Sequence, residues 1–469
     1  VKHWPGGGAQ EGGRDAHYAY GSYAVFPGGN LEDHLIPFVE GAFDLEGETG
    51  SASAVMPYYT ISFNQDTFYN ENVGNAYSKY IITDLLRERF GYNGVVCTDW
   101  LITADVAGID QFSGKPWGVE DLTVAERHYR ALKAGVDQFG GNNEMGPVLE
   151  AYQMGVEEFG EEEMRARFER SAVRLLRNIF NTGLFENPYV DVQHTIETVG
   201  NPEFMREGFE AQLKSVVMLK NRYDVLPADQ GLKVYLPQRY IPASRDWFGN
   251  ETPERWEYLL SPEVASEYFT VVDDPDEADM AIVSIESPKG GNGFSRSDLE
   301  AGGNGYVPVS LQYGEYRAEN AREESIAGGS PFEDFTNRSY RGKTTAATNS
   351  YDLQMVTETR ERMGNKPVIV TIRVSNPMVF SEFEESADAI LIHSGVQDQA
   401  LLELISGNEE PYGLLPFQMP SGMQTVEEQF EDVPRDMNVH MDTEGNLYNF
   451  AFGMNWNGVI EDSRVEKYW

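Results

Sequence analysis

The chain is poor in three things: cysteine, positive charge and long apolar runs. One cysteine, Cys97, stands among 469 residues. A single thiol forms no intrachain disulfide, so core burial has to hold the fold together. Cys97 lies in an apolar run and fits a packing role. Lys and Arg number 36 against 76 Asp and Glu, a formal net charge of −40. That field repels nucleic acid and anionic membrane, which excludes both as partners, and it suits a neutral ligand. Arg outnumbers Lys, a pattern that resembles proteins kept soluble in high salt; an ordinary acidic periplasmic or secreted protein accounts for it as well. No uninterrupted apolar stretch approaches bilayer thickness. Nor is there His/Cys/Asp spacing for zinc, or a Gly-rich loop in the strand–helix context of a nucleotide site, so no metal or organic cofactor is implied.

What is present centres on Gly94-Val95-Val96-Cys97-Thr98-Asp99-Trp100. An apolar, β-branched run of this kind predicts a buried parallel strand. Asp99 then falls at the carboxyl end of that strand, where a (β/α)₈ barrel keeps its chemistry. Trp100 offers a flat apolar face on which a sugar ring can stack. A strand ending in a helix N-cap Asp would give the same local pattern.

The order of motifs separates these alternatives. Lys2-His3-Trp4-Pro5-Gly6-Gly7-Gly8 opens the chain, and Ala131-Leu132-Lys133-Ala134-Gly135-Val136-Asp137 follows the Thr-Asp-Trp strand. Gly183-Leu184-Phe185-Glu186-Asn187-Pro188-Tyr189 and Ser215-Val216-Val217-Met218-Leu219-Lys220-Asn221 come next. In this order the chain resembles glycoside hydrolase family 3 over nearly its whole length. The resemblance implies an α/β fold: the C-terminal part of a (β/α)₈ TIM-like barrel, followed by an α/β sandwich domain. Residues 1–195 would form the barrel's second half, 196–210 a linker, and 211–469 the sandwich, interrupted by a Gly-, Ser- and Asn-rich loop at 290–349. Eight βα units usually need about 250 residues, so the other barrel half is expected in cis or in trans. Half a barrel alone would expose a parallel edge and an apolar face. The length of the loop suggests contact with a neighbouring subunit, hence a homo-oligomer.

By the same resemblance, Asp99 is the nucleophile of a retaining glycosidase. Lys2 and His3 match the family's sugar-binding pair, and Met56 and Tyr59 match its Val-Met-x-x-Tyr segment beside the nucleophile. Trp100 joins them as a substrate contact. A second carboxyl group is needed as acid/base. The family's Gly-Glu-Gly-Tyr-Asp-Arg-like segment has its counterpart in Gly291-Asn292-Gly293-Phe294-Ser295-Arg296, where Asn replaces Glu and cannot donate the proton. Glu286, which ends the apolar run 280–285, then ranks first, with Glu300 and Glu323 behind it. The β-N-acetylglucosaminidase branch offers another solution, an Asp-x-His pair. Here Asp15-Ala16-His17 would make His17 the acid/base, oriented by Asp15. The loop is longer than that branch's pattern, which favours a turn at 12–15 that brings Arg14 and Asp15 to the sugar.

The implied activity is an exo-acting, retaining β-glucosidase that removes terminal non-reducing β-D-glucosyl residues from oligosaccharides. Alternatives are a β-xylosidase, a β-N-acetylglucosaminidase, or a carbohydrate-binding subunit without catalysis. A periplasmic or secreted location is expected.

Overall fold

The computed structural model describes residues 1–245 and 250–467, which fold as two α/β regions. In the first, three parallel strands lie side by side: β1 (Lys2–Trp4), β2 (Ala54–Pro57) and β3 (Val95–Val96). Residues 136–138 extend the row beyond β3, with a parallel bridge between Cys97 and Gln138. The row does not close into a barrel among the described residues, and the outer edge of β1 has no strand partner there.

Helices cover one side of this arc. α1 (Val124–Ala134) starts at a capping box, in which the Thr123 hydroxyl accepts from the Glu126 amide and Glu126 accepts from the Thr123 amide. It ends at Gly135, whose φ of 113° an L side chain rarely adopts. α2 (Met145–Phe159) packs on α1, and α3 (Glu161–Asn181) packs on α2. On α3, Met164, Arg167, Ser171 and Arg174 share the inward face by helical spacing. The last three converge on the buried Asp137, with Ser171 Oγ donating at 2.6 Å and Arg174 at 3.0 Å. Arg87 adds a bond of 2.7 Å to the same carboxylate, and the Val96 amide one of 3.0 Å. Burial raises the proton affinity of Asp137; these donors outweigh it and hold the carboxyl below its usual value.

The opposite face of α3 is apolar yet exposed. Val173, Leu176 and Phe180 line it, and Phe180 keeps 54% of its surface open. Phe185, Val190, Ile196 and Phe204 continue the exposed apolar surface along the following chain. The linker expected at 196–210 is helical for most of its length, over Val192–Thr198 and α4 (Pro202–Ser215).

The second region is built on an eight-stranded sheet. Its strands are β4 (Val217–Asn221), β5 (Lys233–Tyr235), β6 (Thr270–Val272), β7 (Met280–Glu286), β8 (Val368–Arg373), β9 (Ala389–His393), β10 (Met454–Asn455) and β11 (Gly458–Val459). Their order is β6-β5-β7-β8-β9-β4-β10-β11, parallel from β6 to β9 and antiparallel beyond. The central strands are near-continuous apolar runs because both faces are covered. Val217, Val283 and Ile372 point into one core, while Met218, Ile282 and Ile369 point into the other. Lys220, fully buried in β4, is matched by the carboxylate of Glu384.

The segment 290–349 folds back on the same chain. Tyr306 lies in the core of the first region, and Phe294, Phe332, Phe335 and Tyr340 pack against that core. Glu11 accepts from the Ile326 and Ala327 amides at 2.5 and 3.3 Å. The Tyr23 hydroxyl donates to the Gly328 carbonyl at 3.3 Å, and Asn292 to the Tyr20 hydroxyl at 3.1 Å. The loop therefore spends its reach within one chain, which removes the motive for expecting it to bind a second subunit. A second tie comes from Asp432, whose carboxylate accepts from the Gly28 and Asn30 amides at 2.9 and 2.8 Å.

Candidate active site

His3, Tyr59, Asp99 and Trp100 lie at or just beyond three adjacent parallel strands. Parallel register sets Lys2 of β1 beside Met56 of β2. His3 follows on β1, Tyr58 and Tyr59 follow β2, and Asp99 and Trp100 follow β3. Asp99 is 7% exposed. Its Oδ1 accepts from the Trp100 amide at 2.7 Å. Its Oδ2 is buried, 3.2 Å from His3 Nε2, and accepts no hydrogen bond. The Tyr59 hydroxyl donates to the Trp100 carbonyl at 3.0 Å and lies within reach of the Asp99 carboxylate. Burial pushes Asp99 toward the neutral acid; His3, the Trp100 amide and Tyr59 reverse this and hold it below the usual carboxylate range. An ionised carboxylate at a strand end, with one oxygen not committed to a hydrogen bond, is what a nucleophile requires. Trp100 is half exposed beside Gly140 and Gly141, where any Cβ would strike the indole.

A second group stands beside the first. His17 Nδ1 and Asp15 Oδ1 are 2.8 Å apart, and Asp15 also accepts from the His17 amide at 3.0 Å. Burial raises Asp15's proton affinity, but bonds from His17 and the Tyr58 hydroxyl bring it below its ordinary value. The imidazole meets Tyr59 edge-on at 4.9 Å and stacks on Phe112 at 5.5 Å. His17 and Asp99 thus share Tyr59 as a neighbour.

The acidic candidates behave differently. None of Glu286, Glu300 and Glu323 contacts Asp99 among the described residues. Glu286 ends β7, as the sequence suggests, but Arg239 and Lys289 clamp it at 2.7 and 2.6 Å. Burial raises its proton affinity, the two cations overcome that, and the carboxyl sits below its usual value. A carboxylate held ionised this way is a poor proton donor. Glu300 is exposed on the short helix Arg296–Glu300. Glu323 is exposed and pairs with Arg341 at 3.1 Å. Arg14 is also corrected: it is 2% exposed, with its guanidinium 4.8 Å from the Tyr306 ring and 3.7 Å from Glu11. It braces the contact between the two regions.

The Gly291–Arg296 segment does arrive at this site. Phe294 stacks on Tyr20 at 4.9 Å, and Tyr20 on Tyr18 at 5.0 Å, forming an aromatic wall that meets Phe112 at 5.8 Å. Arg296 grips Asp110 in a bidentate ion pair at 2.6–2.9 Å. Sequence reasoning missed Tyr18, Tyr20, Tyr58, Phe112 and Lys115. Alternation along the strand could have found Tyr58; nothing local marks the rest. A cavity of about 480 Å³ opens beside Lys2, His3 and Gly6–Gly8, with His34 and Asp432 on its far side. Another cavity, about 880 Å³ among Tyr69, Tyr129, Phe159 and Arg170, has none of the proposed site residues in its lining. No cluster of three or more His, Cys, Asp or Glu able to hold a metal occurs among the described residues.

Family models match both regions: the glycosyl hydrolase family 3 N-terminal domain over residues 1–177 and the family's C-terminal domain over 216–456. The chain belongs to glycosyl hydrolase family 3. Among family members, it is 33% identical to a probable beta-glucosidase C of Aspergillus flavus, over 97% of this chain and 59% of that protein. It is 29% identical to a periplasmic beta-glucosidase/beta-xylosidase of Dickeya chrysanthemi, over 97% and 59%. The chain thus spans about three fifths of the length of these family 3 relatives. A crystal structure of an exo-1,3/1,4-beta-glucanase from a Pseudoalteromonas species has a similar fold, with a TM-score of 0.62 at 17% identity, over 98% of this chain and 65% of that one.

Proposed function

We propose that this family 3 chain carries the catalytic centre of a retaining, exo-acting β-glucosidase. The observation that carries the reading is Asp99, held ionised at a strand end with Oδ2 bound by no hydrogen bond. In a double displacement, Oδ2 attacks the anomeric carbon and the bond to the leaving-group oxygen breaks, giving a glycosyl ester on Asp99. The leaving oxygen takes a proton from an acid, and water later cleaves the ester as the same group recovers a proton. His17 suits that role better than the three glutamates. Asp15 orients its ring and stabilises the imidazolium, whereas Glu286 is locked as an anion by Arg239 and Lys289. Lys2, His3 and Met56 line the sugar, and Trp100 stacks on it. The names of the relatives agree with β-glucoside hydrolysis; that of the Dickeya protein adds β-xylosides as a second substrate class.

The barrel reading extends this. The open edge of β1 and the exposed apolar faces of α3 and α4 fit further βα units, in cis or in trans, closing a TIM-like barrel around the site. The C-terminal region fits an α/β sandwich domain. A periplasmic or secreted location fits the printed name of the Dickeya relative, and no helix among the described residues is long and apolar enough to cross a membrane.

Hydrolysis of an aryl β-glucoside by the full-length protein, with and without Asp99→Ala, tests the proposal. Loss of roughly four orders of magnitude in kcat is expected. Equal rates in variant and wild type would remove Asp99 from the mechanism. A wild type that binds glucosides without turnover would point to the carbohydrate-binding alternative.

A further inference from the structure

Lys115 is 2% exposed in the loop that follows Asp99 and Trp100. The loop is closed at its base: the Gly114 amide donates to the Asp105 carbonyl at 3.0 Å and the Lys115 amide to the Leu101 carbonyl at 3.3 Å. A Cβ at Gly114 would lie 1.8 Å from the Ala104 carbonyl oxygen, so the closure tolerates no side chain there. From this base Lys115 Nζ turns back and donates to the Phe112 and Ser113 carbonyls at 3.2 and 2.7 Å. It stands 4.1 Å from the centre of the Phe112 ring and 5.6 Å from that of Tyr59. The negative charges of Asp99 and Asp15 favour its charged form, against the burial that disfavours it.

A buried ammonium is costly unless acceptors and opposite charge surround it. Here two carbonyls and two ring faces surround it, and burial still pushes the ammonium below its usual value. The neighbours also make Lys115 a link. Phe112, whose carbonyl it holds, stacks on His17; Tyr59, whose ring it faces, lies against both His17 and Asp99.

We infer that Lys115 is a positioning residue for the proposed glycosidase: it pins the Phe112 turn against His17 and sets a positive charge on the ring of Tyr59, the neighbour that His17 and Asp99 share. This rests on the proposed reaction. The groups facing Asp99 are His3 from β1, Tyr58 and Tyr59 from β2, Cys97 on its own strand, and Lys115 from the loop. Those facing Lys115 are Asp99, Asp15 and the Tyr59 and Phe112 rings. Removing the cation takes a positive charge out of the site, so the proton affinity of Asp99 rises and the acid limb of the activity profile moves to higher pH.

The test compares Lys115→Gln, Lys115→Met and Lys115→Arg in the full-length protein. Gln retains donors for the two carbonyls and drops the charge, Met drops both, and Arg retains both. The pH profile of kcat/KM for an aryl β-glucoside is the first readout. Gln and Met should each move the acid limb up by about half a unit or more, about threefold in rate at a fixed pH on that limb, while Arg restores it. Met should lose further at the pH optimum, because the Phe112 turn is freed. The second readout needs no turnover: the ¹³C titration of the Asp99 carboxyl in Asp-labelled protein, assigned by Asp99→Asn. An Asp99 titration and acid limb unmoved in folded Lys115→Gln would overturn the inference. If Met fails to fold by circular dichroism, Gln decides alone. A wild type without turnover would sink the glycosidase reading, while the carboxyl titration would still decide on Lys115.

Discussion

The two regions of this molecule treat their sheets differently. In the C-terminal region, β7, β8 and β9 are covered on both faces by two separate cores, and their strands are flanked by partners on either side. In the N-terminal region, β1 has a bare edge and α3 buries Met164 and Ser171 on one side while Val173, Leu176 and Phe180 face outward. The chemistry sits on the less finished region. Asp99, His3 and Tyr59 need fixed strand ends, yet the strands that carry them are two to four residues long. Part of the missing support comes from the other region: Tyr306 enters the N-terminal core, and Glu11 fixes the backbone at Ile326 and Ala327. A sheet closed on both faces can thus lend a loop to stabilise a sheet that is not.

Separating the regions breaks the comparison most severely. A fragment of residues 211–469 is expected to unfold cooperatively, since its sheet and both cores lie within it. A fragment of residues 1–215 should bind a hydrophobic dye and show poor amide dispersion, because it loses Tyr306 and keeps the outward face of α3. Two fragments of equal cooperativity in thermal unfolding would remove the distinction.

Asp137 tests how the N-terminal region holds together without a closed barrel. It ties the end of the strand row to α3 and to Arg87 of the helix Tyr80–Arg89. Asp137→Asn strands three arginines around a neutral group, and a loss of about 3–5 kcal/mol is expected in denaturant unfolding. Because the folded-state pKa of Asp137 lies below its unfolded value, this contribution is present above the ordinary carboxylate range. It fades as the pH falls through the folded-state pKa. The wild type should therefore lose stability toward acid more steeply than Asp137→Asn. Parallel pH curves for the two would show that the hub is not the source.

Much of this was legible in the sequence, and the limits have physical causes. Asp99 stands out because an apolar run ends in a carboxylate. The row of parallel strands and the family resemblance follow from such local signals. The destination of 290–349 does not, because Glu11 and Tyr20 lie some three hundred positions from the segment they hold. Arg14 looked like a sugar ligand since its burial against Tyr306 depends on that docking. Glu286 stands out by its place at a strand end, but Arg239, which clamps it, lies far away in sequence. Lys115 left no trace in Gly114-Lys115-Pro116, for a buried cation and a surface one read alike.

The smallest expected effect concerns how the regions are latched. Two ties differ in kind. Asp432 is 1% exposed and holds the backbone of Gly28 and Asn30, whereas Arg296 is an exposed side chain gripping Asp110. Exposed pairs contribute little to stability even when bidentate, since water and salt screen them. Arg296→Ala should therefore leave the unfolding transition in place. Arg296 nonetheless fixes the segment that presents Asn292 and Phe294 to Tyr20 and the aromatic wall. A modest rise in KM for longer glucosides is expected at low salt, with kcat preserved, and the difference from wild type should vanish at high ionic strength. A KM change that survives high salt would mean that Arg296 acts by shape and not by charge, and the latch would then resemble Asp432 more than a surface ion pair.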